Sequence, residues 1–290
     1  KYEGKGEQIK NEDIIKAVPQ EHKNFVNSIL EAHNIEGEEN SEIKKGSKQF
    51  GRNLSEEGAE STLEVALKHP IKLIANALGV PPKIMLELGK KHNVAVAALV
   101  GAKEHAIKQV EAGVDILIVA GGEAGGHCGD VSTMVLVPEV YNSIREIKDV
   151  PILAAGGITT GGQMAAAMSM GADGAWCGSV WLTTSEAETN PVVKEKMLAA
   201  SSRDTVRSKS RTGKFSRQLR SPWTDAWEKE GPEPLPMPLQ SLVSEPALKK
   251  IDKLSQGGHE GAKQLATYWV GQGVGLMNHS LSAGTLSLIH

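Results

Sequence analysis

The sequence predicts an α/β protein made of repeated βα units, a (β/α)8 barrel of TIM type that is N-terminally truncated, with strands four to eight present. Short apolar runs recur through the middle of the chain, amphipathic helical patterns separate them, and the strand starts fall about 22 to 36 residues apart, as in repeated βα units. The composition agrees. The chain has 290 residues with 31 glycines, 40 % hydrophobic and 23 % charged residues, which excludes fibrous and wholly disordered classes; 4 % aromatic content is low for a β-sandwich.

Residues 1–60 carry almost no strand signal and form a helical and loop segment that follows the missing third strand. Asn11 to Val18 and Glu21 to His33 have helical periodicity, and Glu36 to Ser47 is a charged loop punctuated by glycine. Residues 61–184 hold the barrel units. Their strands are Ile71 to Ala77, Val94 to Val100, Ile116 to Ala120, Ile152 to Ala155 and Gly174 to Cys177. These runs are mostly continuous rather than alternating, as in parallel strands buried on both faces. Helices are expected over Pro82 to His92, Lys103 to Ala112, Pro138 to Ile147 and Gly162 to Met170.

Residues 185–285 read as a C-terminal helical extension. It contains a helix over Pro191 to Ala200, a basic run from Arg203 to Arg220, a five-proline loop from Pro222 to Pro238 and a helix over Pro246 to Tyr268. Gly271-Gln272-Gly273-Val274-Gly275-Leu276 follows. Residues 286–290 are set aside as a non-native tail because they resemble a translated sequencing adapter. The chain does not begin with methionine, so a start upstream is expected.

No run of about 18 apolar residues marks a membrane span, and Lys1 to Lys10 lacks the apolar core of a signal peptide. A net charge of -3, and a basic run without interleaved aromatics, argue against nucleic acid. That run reads instead as a solvated insertion or a loop holding an anionic ligand. Cys128 and Cys177 make neither a disulfide framework nor a zinc pattern, so a cytoplasmic setting and no metal site are expected. No strand is followed by G-x-G-x-x-G, and no P-loop is present.

Two constellations carry chemistry. Gly156 and Gly157 end one strand while Gly178 and Ser179 end the next, so the two loops lie side by side where barrels bind phosphate. Backbone amides there, and the helix that starts near Gly162, suit an anion. Each loop alone is equally well read as a tight βα turn. The second constellation is Gly121-Gly122-Glu123-Ala124-Gly125-Gly126-His127-Cys128-Gly129-Asp130. Its glycines, Gly125 among them, let backbone approach a flat ligand, and His127 is a candidate acid or base near neutrality. A surface histidine in a flexible loop is the competing reading. Glu123 and Asp130 are candidates to orient the imidazole, and Cys128 reads as structural.

Glu123-Ala124-Gly125-Gly126-His127 resembles the glycine-rich histidine motif of the nitronate monooxygenase (2-nitropropane dioxygenase) family. Ala154-Ala155-Gly156-Gly157-Ile158 and Trp176-Cys177-Gly178-Ser179 are similar to its phosphate loops, and residues 271–276 to its C-terminal motif. The resemblance implies an FMN-dependent barrel enzyme in which His127 takes the α-proton of a nitroalkane or handles the nitronate. O2 then gives a carbonyl compound and nitrite. Ala120 stands where relatives commonly carry Gln, which implies one flavin hydrogen bond fewer. Two other readings stay open: a flavin barrel reducing a quinone or enoyl thioester, and a non-catalytic phosphate-binding remnant. Oligomeric state is not legible.

Overall fold

A computed structural model of the chain describes residues 17–37 and 56–289. Two compact units divide it. Among the described residues, the larger comprises 56–207, 215–219 and 268–289, and the smaller takes 17–37, 208–214 and 220–267.

The larger unit opens with α2 (Glu56–Ala66), which precedes a five-stranded parallel sheet. Its strands are β1 (Leu73–Asn76), β2 (Ala95–Val100), β3 (Ile116–Ala120), β5 (Ile152–Ala155) and β6 (Gly174–Trp176), in the spatial order β1-β2-β3-β5-β6. Each of the five lies inside the run the sequence predicts. Helices α3 (Lys83–His92), α4 (Lys103–Glu111), α5 (Thr133–Ile144) and α6 (Gly161–Ser169) connect them. The order follows the chain without reversal, unlike a doubly wound sheet with its switch point.

The two faces of the sheet differ. Ala98, Val100, Leu117, Val119, Ile152 and Ala154 pack against Ala106, Val110, Leu136, Val140, Ile144 and Ala167 of α4, α5 and α6. The opposite face gathers strand residues, Ala97, Ile118, Ala120 and Ala155 with Leu73, Leu99, Ile116 and Leu153, joined by Ala124 from the loop after β3. Helices on one face and inward-pointing strand side chains on the other describe an arc of βα units.

Two loops set the register by the same device. Gly113 (φ 94°) and Gly171 (φ 105°) take the left-handed turn after a helix, and an apolar residue and an aspartate follow. The Asp115 carboxylate accepts the Val96 amide at 2.9 Å while the Asp115 amide donates to the Val96 carbonyl; Asp173 repeats this with Ile152, at 2.8 Å for the carboxylate. We expect Asp115→Ala to cost about 1 kcal/mol, read as a lowered urea midpoint with unchanged slope.

Helix α5 starts at Thr133, upstream of the expected Pro138, because its N-terminal partner is a carboxylate ten residues back (below). After β6 come a 3-10 helix (Ser179–Thr183), α7 (Pro191–Ala199) and β7 (Thr205–Ser208). A ribbon of β4 (Gly126–His127), β8 (Ser216–Leu219) and β7 forms a second sheet in the order β4-β8-β7. The basic run is therefore no solvated insertion: it supplies two strands, and Ser208, Ser210, Ser216 and Gln218 within it are fully buried.

In the smaller unit, α1 (Gln20–Ala32) and α10 (Glu260–Leu265) pack on α9 (Leu239–Gln256). Helix α8 (Pro222–Lys229) occupies the start of the expected five-proline loop, with Pro222 in the first turn where proline is tolerated. The single helix expected from Pro246 to Tyr268 is two, broken at Gly257–Gly258. Trp227 packs edge-on to Phe25, and a nearly buried Arg211 pairs with Glu245 at 2.8 Å. The expected helix over Asn11 to Val18 and the Glu36 to Ser47 loop fall largely outside the described residues. Helix α11 (Ala283–Ile289) ends the larger unit with Leu286 buried.

Candidate active site

The loop after β3 is folded around Thr133. Gly121 donates its amide to the Ala155 carbonyl at 3.1 Å, and Gly122 closes the base of the loop with a 2.7 Å bond to the Val131 carbonyl. Glu123 Oε2 accepts both the amide and the hydroxyl of Thr133, at 2.8 and 2.9 Å. A carboxylate thus meets the positive end of α5. Thr133 Oγ1 also lies 3.2 and 3.1 Å from the carbonyls of Ala155 and Gly156. A Cβ on Gly121 would stand 2.3 Å from the Thr133 amide, so glycine is required there by packing alone. Glu123, a candidate to orient the imidazole, is committed to the helix start.

His127 lies on β4, which pairs antiparallel with β8 in the register Gly126 to Arg217 and His127 to Ser216. Opposed residues share a face of such a ribbon, and successive residues alternate. His127 and Ser216 therefore occupy one face. The His127 ring is exposed and lies 6.2 Å from the Trp269 ring, tilted by 46°; Trp269 itself bridges to Gln218. Gly126 and Arg217 occupy the other face. Arg217 Nε and Nη2 donate to the Gly122 carbonyl at 3.0 and 2.8 Å, and Nη1 donates to Thr205 Oγ1 at 3.2 Å. Burial pushes this guanidinium below its ordinary value. Cys128 pulls it back up, Arg207 lowers it further and Glu123 raises it. An arginine remains charged throughout.

The two loops expected to bind phosphate follow β5 and β6, which are neighbours in the sheet. Gly156 (φ 102°) and Gly157 (φ 73°) adopt left-handed conformations. Gln163 pins this turn: its Nε2 donates to the Gly157 carbonyl at 2.9 Å and its Oε1 accepts the Thr159 amide at 2.9 Å. Thr160 caps α6 through the Gln163 amide, leaving the first-turn amides of Gly161 and Gly162 without helical acceptors. A Cβ built on Gly178, or on Gly162, meets nothing within 4 Å. Gly156 differs, for its Cβ would lie 2.9 Å from Thr133 Oγ1. Its glycine answers a packing need first.

Residues 271–276, whose role the sequence leaves open, join these parts. Gly271 donates its amide to Ser179 Oγ at 2.8 Å, and Gln272 donates to the Glu123 carbonyl at 2.9 Å. A Cβ on Gly125 would stand 2.8 Å from the Gly271 amide, and one on Gly273 would stand 2.8 Å from the Gly157 carbonyl. The segment Trp269–Gly273 thus runs past His127, Gly125, Ser179 and Gly157 in turn. Sequence reading missed Thr133, Arg217 and Trp269. The first two carry no local motif; Arg217 is hidden in the basic run.

Burial pushes the Cys177 thiol up, away from nucleophilic character. Among the described residues no group of three His, Cys, Asp or Glu side chains could hold a metal, and no helix is long and apolar enough to cross a membrane.

A parallel sheet of βα units with glycine-rich loops at its carboxyl edge, one bearing an exposed histidine, defines an α/β protein with its candidate site at the strand ends. The chain belongs to the nitronate monooxygenase family, whose model matches residues 7–288; the family is one of oxidoreductases and implies a flavin cofactor. A Mycobacterium tuberculosis protein named as a monooxygenase is 49 % identical over 273 residues, covering 93 % of this chain and 71 % of that protein. The structure of FabK from Thermotoga maritima is similar with 30 % identity and a TM-score of 0.65, over 81 % of this chain and 71 % of that one. Nitroalkane oxidase from Streptomyces ansochromogenes shares the fold, with a TM-score of 0.74 and 23 % identity over 96 % of this chain and 75 % of that one. The chain spans 71 %, 64 % and 51 % of the lengths of the first three curated relatives it matches.

The residues present fit a flavin phosphate. Two left-handed glycines lead into a nine-residue helix whose first two amides have no helical acceptors, and the corner at Gly178 after the adjacent strand is open.

Proposed function

We propose that the full-length protein is an FMN-dependent nitronate monooxygenase on a (β/α)8 barrel, oxidising alkyl nitronates with O2 to a carbonyl compound and nitrite. The observation that carries this reading is the path of Trp269–Gly273, which brings the His127 loop and both glycine turns together at the carboxyl ends of β3, β5 and β6. Amides of Gly157, Gly178 and Ser179, with the start of α6, hold the FMN phosphate. Gly125 shapes the backbone beside it. FMN supplies the redox chemistry, and the protein supplies position and a base.

His127 is that base. A neutral nitroalkane gives its α-proton to a ring nitrogen of His127, and the bonding pair stays on the substrate as the nitronate. Trp269 flanks the imidazole at 6.2 Å.

The test is a steady-state assay of the full-length protein with two arms. We expect nitrite release from a nitronate in air without NADH. Oxidation of NADH by a quinone, with no nitrite from the nitronate, would assign the protein to the reductases instead.

A further inference from the structure

We propose that Arg217 is a positioning residue for His127, fixing the base by clamping both limbs of its loop; this rests on His127 being the base. The loop leaves β3 through Gly121 and Gly122, turns through Glu123, Ala124 and Gly125, and returns as β4. Arg217 holds both sides of that turn. Its backbone is in register with Gly126, one residue from His127, while its side chain reaches back to the Gly122 carbonyl through two N–H groups. Nη1 ties the same guanidinium to Thr205 on β7. The distance between the start of the loop and its histidine-bearing limb is thereby set by one planar fork.

The charge environment argues that this is more than scaffolding. Three other cations of the basic run have carboxylate partners, Lys209 with Glu233, Arg211 with Glu245 and Arg220 with Asp225, while Arg207 lies over the Phe215 ring. Arg217 instead spends its charge on a carbonyl and a hydroxyl, half-buried, with the guanidinium of Arg207 near it. A half-buried cation whose hydrogen bonds all go to neutral acceptors is costly, and a neutral side chain could supply one hydrogen bond more cheaply. What a neutral side chain cannot supply is the rigid two-donor fork that fixes the direction of the Gly122 carbonyl. Phe215 and Cys128 complete this face, the Cys128 amide bonding to the Phe215 carbonyl at 3.4 Å and Arg207 lying over the Phe215 ring.

The experiment compares full-length, flavin-loaded wild type, Arg217→Lys, Arg217→Gln and His127→Ala. Turnover is measured on neutral nitroethane, which needs the base, and on pre-formed ethyl nitronate, which does not. Thermal melting, flavin absorbance and amide hydrogen exchange at residues 122–128 are read alongside. We expect Arg217→Gln to lower kcat on nitroethane at least about tenfold, to lower turnover of the nitronate much less, and to raise exchange at residues 122–128. Arg217→Lys, which keeps the charge but not the fork, should show the same pattern more weakly. Equal losses on both substrates, or unchanged exchange at residues 122–128 in both variants, overturn the proposal. If Arg217→Gln does not fold, the Lys variant decides by the same criteria. Undiminished nitroethane turnover in His127→Ala overturns the base assignment, and with it the purpose of the clamp; loss there with normal Arg217 variants overturns the clamp alone.

Discussion

Replacing His127 with alanine is expected to lower turnover of a neutral nitroalkane about 10²- to 10⁴-fold while flavin binding persists. The separation follows from where the parts sit. His127 is on β4, held by the ribbon with β8, whereas the turns assigned to the phosphate follow β5 and β6. The imidazole is exposed and belongs to neither core cluster, with the tilted Trp269 ring 6.2 Å away, so its removal leaves no cavity in the core. Pre-formed nitronate bypasses the proton transfer and should be consumed by the variant at a much smaller deficit. Unchanged turnover of the neutral substrate would contradict the role given to this histidine.

The second large effect is structural. Gly121→Ala places a methyl group 2.3 Å from both the amide and the hydroxyl of Thr133, and neither neighbour is the loose end of a side chain. Thr133 cannot retreat alone, because it also holds Glu123 and approaches the carbonyls of Ala155 and Gly156. Overpacking of this kind costs about 1–3 kcal/mol or more. The displacement should reach the turn after β5, so we expect a lower melting temperature together with weakened FMN affinity. Gly178→Ala is the contrasting variant. Its Cβ enters open space and its φ is -116°, so the fold should keep its melting temperature while FMN affinity falls. A Gly178→Ala protein with wild-type affinity would remove that loop from the flavin site.

The parallel sheet was legible because most of its strands are continuous apolar runs, as the burial of β2, β3 and β5 on both faces demands. The ribbon was not. Thr205 to Leu219 is polar and basic, and its strands exist because Ser216 and Gln218 are buried on one side while Arg217 finds a carbonyl on the other. Those partners lie about 95 residues away in sequence, beyond any local pattern. The start of α5 was hidden for the same reason, since the carboxylate at its N-terminus arrives from Glu123 rather than from an adjacent cap. Pro138 and Pro222 misled in opposite directions: one lies inside a helix and the other opens one. In the site, glycine density was readable but its cause was divided. Gly121, Gly125 and Gly156 are glycine because backbone or Thr133 fills the space beside them, whereas Gly178 borders open space.

That division bears on the central claim, that the His127 loop and the turns after β5 and β6 form one flavin site. A crystal structure of the full-length protein with FMN tests it most directly. The account predicts phosphate density at the amides of Gly157, Gly178 and Ser179, with the isoalloxazine ring on the side of the His127 loop. Phosphate bound elsewhere, or a ring facing away from His127, would contradict it.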